Sequence, residues 1–179
     1  MPESQLFNSL FFLKKSSLQL SAVWVLLLAL SLTSCKKNDD NQSVGSVSAT
    51  LNQEEFFSNN LQYERGTVVL DNTEHELNTL IFISQMNERI ILYFLGDSIG
   101  THTPLTFQSY PSARYVMNNG ITYDSSEGII DISTFEELGD DKYRIEGFFE
   151  FIAEDFELMS GQSMNVNNGQ FGGTFQPIN

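Results

Sequence analysis

Between Lys142 and Ala153 the chain alternates with a period of two. Tyr143, Ile145, Phe149, Phe151 and Ala153 fall on one side, and Lys142, Arg144, Glu146 and Glu150 on the other, where Phe148 and Ile152 interrupt the polar set. Successive side chains of a strand point to opposite faces, so this run predicts a strand with one buried and one wet face, as in antiparallel sheets. Other runs follow the same logic. Ser46 to Leu51 alternates, Glu54 to Phe57 is short and aromatic, and Thr67 to Leu70 leads into the turn pair Asp71-Asn72. Thr79–Ser84 and Arg89–Leu95 are β-branched and aromatic runs separated by Gln85-Met86-Asn87-Glu88, the pattern of paired central strands.

Turn chemistry marks the rest. Ala113–Met117 and Ile121–Asp124 flank Asn118-Asn119-Gly120, an Asn-Gly hairpin signal. Ile129–Thr134 and Lys142–Ala153 flank the acidic turn Glu136–Asp141, and Ser163–Asn167 and Gln170–Phe175 flank Asn168-Gly169. Only Glu154–Met159 offers a short helical turn, and no longer segment holds a helical period. The expected fold is all-β, an antiparallel sandwich or flattened barrel of about eight to ten short strands.

The N-terminal part reads differently. Lys14 and Lys15 precede Leu18–Leu32, an apolar stretch of 15 residues diluted only by Gln19, Ser21 and Ser31. At about 1.5 Å per residue it spans about 22 Å as a helix, short of the ~30 Å hydrocarbon core of a bilayer. That length suits the h-region of a signal peptide. Residues 1–13, which include Glu3, make a long preamble, read either as an extended n-region or as an upstream start.

Leu32-Thr33-Ser34-Cys35 resembles the lipobox of bacterial lipoproteins: a branched apolar residue, two small residues and the sole cysteine of the chain. The resemblance implies cleavage between Ser34 and Cys35, a diacylglyceryl group on the Cys35 thiol, and an N-acyl chain of the palmitate kind. Several acyl chains anchor a protein stably where one holds it only marginally. Four positions in register after an h-region set this above an ordinary secretory signal with an incidental cysteine. The predicted organisation is a signal peptide over 1–34, the lipidated Cys35 with a flexible tether over 35–45, and one β domain over 46–179. Lys36-Lys37-Asn38-Asp39-Asp40 resembles the charged tract that sends some Bacteroidetes lipoproteins to the cell surface; a plain solvated tether is the equal alternative. The expected location is the cell envelope at the outer membrane, on its periplasmic face or the cell surface. The lipoprotein-processing and sorting machinery would be partners.

Four further stretches resemble a group of Bacteroidetes-type lipoproteins with an uncharacterised β domain. They are Ser48–Phe57 (SATLNQEEFF), Gly100–Leu105, Ile145–Ala153 (IEGFFEFIA) and Met164–Phe175 (MNVNNGQFGGTF). Gly147-Phe148-Phe149-Glu150-Phe151 and Asn168-Gly169-Gln170-Phe171 carry the GxFxF and NGxF elements of that group. Gln53 stands after Asn52 where the group continues into Asn-Gly. The resemblance implies a fold and an address rather than an activity.

Charge and residue usage narrow the chemistry. The chain carries a net charge of −14, and loss of Lys14, Lys15 and Glu3 with the leader makes the remainder one unit more negative. Such a body is repelled by nucleic-acid phosphates and anionic lipid surfaces, so no nucleic acid is expected as a partner. With no second cysteine, no intramolecular disulfide can form, and stability must come from a core, for which twelve Phe and six Tyr remain beyond Ser34.

Gly96-Asp97-Ser98-Ile99-Gly100 spells G-x-S-x-G, but Thr101–Thr106 is a poor helix former and no histidine follows His102. A nucleophile elbow needs a strand before the serine and a helix after it. His75, between Glu74 and Glu76, points away from both glutamates in an extended chain. With only His75 and His102 available, zinc lacks its three or four convergent ligands. Glu136, Glu137, Asp140 and Asp141 lack the spacing of a calcium loop and read as a solvated acidic turn. No catalytic residue, metal or cofactor is expected.

Binding is the expected activity, by a non-enzymatic module or scaffold of the envelope. Two versions fit the residues. Trp24 leaves with the leader, so a sugar-stacking platform would rest on tyrosines such as Tyr110, Tyr115 and Tyr123. Alternatively Ile91, Tyr93, Phe149 and Phe151 line the internal cavity of a small hydrophobic-ligand or lipid carrier, although small β folds usually pack such residues solid. A hydrolase ranks third.

Overall fold

The computed structural model describes residues 43–103, 106, 109–156 and 161–178. They form ten antiparallel strands in one sheet that curls into a flattened half-barrel, the all-β architecture expected from the alternation. The strands are β1 (Val44–Leu51), β2 (Glu54–Ser58), β3 (Asn60–Leu70), β4 (Thr73–Ile83) and β5 (Arg89–Leu95). They continue as β6 (Gly100–His102), β7 (Ser112–Val116), β8 (Thr122–Gly139), β9 (Lys142–Glu154) and β10 (Ser163–Phe175). Across the sheet the order is β2-β1-β10-β9-β8-β7-β5-β4-β3, with β6 alongside β8. The leader, Ser34, Cys35 and the tract Lys36–Asp40 lie outside the described residues, as do Pro104, Leu105 and the 157–159 part of the expected helical turn.

Curling brings the last strand of this order back toward the first. After β10 the chain runs beside β3: Pro177 bridges Tyr63 in parallel, and the Ile178 N–H donates to the Tyr63 carbonyl at 2.8 Å. At the β2–β3 corner the buried Ser58 hydroxyl donates to the Ile83 carbonyl at 2.6 Å and accepts from the Asn60 N–H at 3.0 Å. Backbone groups that the corner takes out of the ladder are thereby satisfied, as buried polar groups must be. Ser43 is buried and accepts from the Gln176 N–H at 3.2 Å. The ordered domain thus reaches two to three residues into the stretch expected to be tether.

The enclosed side is filled by aromatic and branched side chains from distant strands. Phe82 of β4 stacks on Phe149 of β9, centroids 6.4 Å apart and planes within 7°, and meets Phe171 of β10 at 5.8 Å. Tyr63 packs edge-on against Tyr143 and Phe175. Such pairs contribute about 0.5–1.5 kcal/mol beyond the area they bury. The alternation of β9 is realised as expected: Tyr143, Ile145, Phe149, Phe151 and Ala153 are buried, and Phe148 stands on the outer face.

One expected turn and one stretch left between expected strands are bends within strands instead. Asn168-Gly169 is a bulge inside β10, between the pairs Val166–Phe151 and Gly169–Phe149, with Asn168 at φ 52°. Ser125–Gly128, read as a gap between two strands, is a second bulge inside the 18-residue β8. An inserted residue bends a strand and increases its twist without ending it. That bend lets one strand pair with β7 at its start and with β6 at its middle. The acidic turn is also shorter than expected: β8 pairs with β9 as far as Gly139–Lys142, leaving Asp140 and Asp141 alone at the tip with φ of 53° and 54°. Positive φ at both central residues defines a type I′ hairpin, which matches the twist of its strands.

Candidate functional site

On the outer face, strands β2, β1, β10, β9 and β8 carry a groove of about 500 Å³. Its geometry follows from register. Phe57 lies opposite Ser48, Ser48 opposite Gln170, and Gln170 opposite Phe148. The four side chains therefore form one lateral row across four strands. Phe57 and Phe148 stand at its ends, 57% and 43% exposed, three strand spacings or about 14 Å apart. The row continues beyond Phe148 to Asp131 and Thr101, whose side chains hydrogen-bond at 2.6 Å.

Between the two rings the floor is low. Ser46 and Ser48 of β1 share it with Gly172 of β10, which has no side chain to fill it. Gln170 supplies an amide and Ser133 lies at the β8 side, its hydroxyl donating to the Glu146 carbonyl at 3.1 Å. Glu146 is the single charged side chain in the lining, and it is already paired. Arg144 donates to it from two nitrogens, at 2.9 and 2.8 Å, and Thr134 at 3.3 Å. The hydrogen bond from Arg144 holds the Glu146 carboxyl below the usual carboxylate range. The groove thus combines two apolar walls, a neutral floor rich in donors and acceptors, and one neutralised acid.

The groups singled out in the sequence fall elsewhere. Gly96–Gly100 is a turn between two strands, β5 and β6, rather than the strand-to-helix turn of a nucleophile elbow. Its residues brace the sheet: the Gly96 carbonyl accepts from Asn78 at 2.8 Å, and Asp97 pairs with Arg65 at 2.8 Å. His102 reaches back to the Ser98 carbonyl at 3.2 Å. Arg65 also pairs with Glu76 and lies 4.7 Å over the Tyr143 ring. His75 sits on β4 in the β3 ladder opposite Val68. Among the described residues no three His, Cys, Asp or Glu side chains gather as a metal site. Glu136 and Glu137 lie along β8, opposite Arg144 and Tyr143, instead of converging with Asp140 and Asp141 at the tip.

The tyrosine platform is not formed. Tyr115 and Tyr123 are 2% and 4% exposed and belong to the core. The Tyr115 hydroxyl donates to Glu88 at 2.8 Å, and burial together with that bond pushes its phenol pKa up. Tyr110 packs edge-on against Tyr93 beside a smaller hollow of about 310 Å³, next to the Arg114–Asp124 pair. The four residues considered as cavity lining are divided between two faces. Phe149 and Phe151 point inward, whereas Ile91 and Tyr93 lie outside the core cluster, on the other side of β5 from Ile90, Leu92 and Phe94.

Phe57 and Phe148 were not singled out as a pair from the sequence, though a signal existed. Phe148 breaks the polar side of an otherwise regular alternation, and one of the adjacent Phe56 and Phe57 must face outward. Their common row depends on the order β2-β1-β10-β9, which joins segments about 90 residues apart.

No family model, curated protein or solved structure matches the chain.

Proposed function

We propose that the chain is a bacterial lipoprotein of the Bacteroidetes type, held at the outer membrane by lipid on Cys35, whose β domain works by binding rather than by catalysis. The observation that carries the reading is Leu32-Thr33-Ser34-Cys35, placed directly after an apolar run too short to span a bilayer. A lone cysteine there serves as an attachment point. The outer-face groove supports the binding half of the reading, because it is preformed, open and free of a reactive pair. Burial of Phe149 and Phe151 against Phe82 and Phe171 favours an exterior contact surface over an interior carrier.

Membrane fractionation of cells grown with an alkyne-bearing palmitate analogue tests it. The wild-type chain is expected to carry the label and to sediment with membranes. Cys35→Ser is expected to lose the label and to accumulate either unprocessed or in the soluble fraction. Equal labelling of wild type and Cys35→Ser would defeat the lipid-anchor reading. With the anchor established, alanine at Lys37, Asp39 and Asp40 should reduce protease accessibility on intact cells if the tract directs surface export; unchanged accessibility makes it a spacer.

A further inference from the structure

We infer that the groove between Phe57 and Phe148 binds a neutral oligosaccharide. This rests on the binding reading above and names the ligand class for the same face. Three features point to it. The end walls are phenyl rings with no polar atom, so they must meet an apolar surface of the ligand. Between them, Ser46, Ser48 and Gln170 present hydroxyl and amide groups that both donate and accept. A pyranose chain has this same mixed character, with C–H faces that cover a ring and rims of hydroxyls that take hydrogen bonds in either direction. The length also fits: about 14 Å between the rings exceeds one sugar ring and suits a short chain lying across the strands.

Charge and backbone pairing exclude the main competitors. On a chain of net charge −14 the groove is a neutral island, its one acid already bonded to Arg144 and Thr134, so it selects neither cationic nor anionic ligands. A peptide ligand commonly gains affinity by adding a strand to a free sheet edge. That route is closed along the floor, where β1, β10 and β9 each have a ladder partner on both sides; the free edge of β2 lies beyond the Phe57 wall. An acyl chain would leave the hydroxyls of the floor without partners, which costs binding energy.

The test uses the full chain, purified from membranes in a polyoxyethylene detergent whose headgroup carries no sugar. Cellohexaose, xylohexaose, mannohexaose and chitohexaose are titrated by calorimetry. At least one is expected to bind, with Phe57→Ala and Phe148→Ala each weakening it by about tenfold or more. Gly172→Val should abolish binding, since a Cβ there lies in ordinary contact with Glu146 at 3.4 Å and the side chain then fills the floor. Val69→Ala, exposed beside the β3–β4 turn at the end of β3 away from the β2 corner, should bind as wild type does. Unchanged melting temperatures confirm that these surface variants fold.

Binding of a hexasaccharide unaffected by Phe148→Ala and Gly172→Val would overturn the assignment. So would failure of all four at millimolar concentration. A photo-crosslinking residue at Ser48, used on intact cells, then separates the two levels. Capture of a protein with no hexasaccharide binding removes the saccharide and leaves a binding groove; neither event removes both.

Discussion

Gly169 and Gly172 lie three residues apart in one strand, yet their surroundings differ in kind. A Cβ on Gly169 would sit 2.5 Å from the Phe149 ring, and that ring is locked among Phe82, Phe151 and Phe171. A Cβ on Gly172 meets only the flexible Glu146 stem at 3.4 Å. Overpacking a filled core costs about 1–3 kcal/mol, whereas an open surface position changes stability by within about 0.5 kcal/mol. Gly169→Ala is therefore expected to lower the denaturation midpoint clearly, and Gly172→Ala to leave it nearly unchanged, in urea titrations followed by circular dichroism. Equal midpoints for the two variants would mean that the bulge around Asn168 can relax. Asn168-Gly169 resembles a hairpin turn in sequence because both functions select the same residues. The glycine here is needed for a ring of another strand, which only the folded register reveals.

Elements are tied to one another by polar braces as well as by rings. The Tyr63 hydroxyl of β3 donates to Asn78 of β4 at 2.5 Å, and Asn78 donates to the Gly96 carbonyl at the end of β5. Burial is the main cause that pushes the Tyr63 phenol far above its ordinary value, and Tyr93 and Tyr115 are raised for the same leading reason. The sign follows from linkage: the unfolded chain ionises these phenols near about pH 10 while the folded chain does not, so stability is intact below that value and falls as pH rises above it. Between about pH 9 and about pH 11 the melting temperature should drop, and Tyr63→Phe should show a smaller drop from a lower starting point. The lower start reflects the Asn78 oxygen left without its donor, about 1–3 kcal/mol. An equal drop in both proteins would remove Tyr63 as a contributor. At this scale the sequence was most legible in β9, where the inward face alternates regularly, and in the β-branched and aromatic runs of β4 and β5. It was least legible in β8, where Ser125–Gly128 has the composition of a break but bends a continuous strand. Composition reports that the backbone departs from the ladder, whereas pairing on both flanks decides whether the ladder resumes.

For the whole molecule, the interior and exterior have separate duties. The inner face supplies stability without a disulfide, through Phe82, Phe149, Phe171 and their neighbours. The outer face supplies a row of two rings with two polar side chains, Ser48 and Gln170, between them that no interior requirement explains. Its components were individually visible in the sequence. Their assembly was not, because β2 and β1 come from the start of the domain and β9 and β10 from its end. The proposed anchor is the opposite case, its signal being local to four consecutive residues, Leu32-Thr33-Ser34-Cys35. Intact mass spectrometry of the protein from the membrane fraction reads that anchor most directly. The expected species begins at Cys35 and carries the added mass of one diacylglyceryl group and one further acyl chain. A membrane-derived species that retains residues before Cys35, or that begins at Cys35 without added lipid, would contradict it.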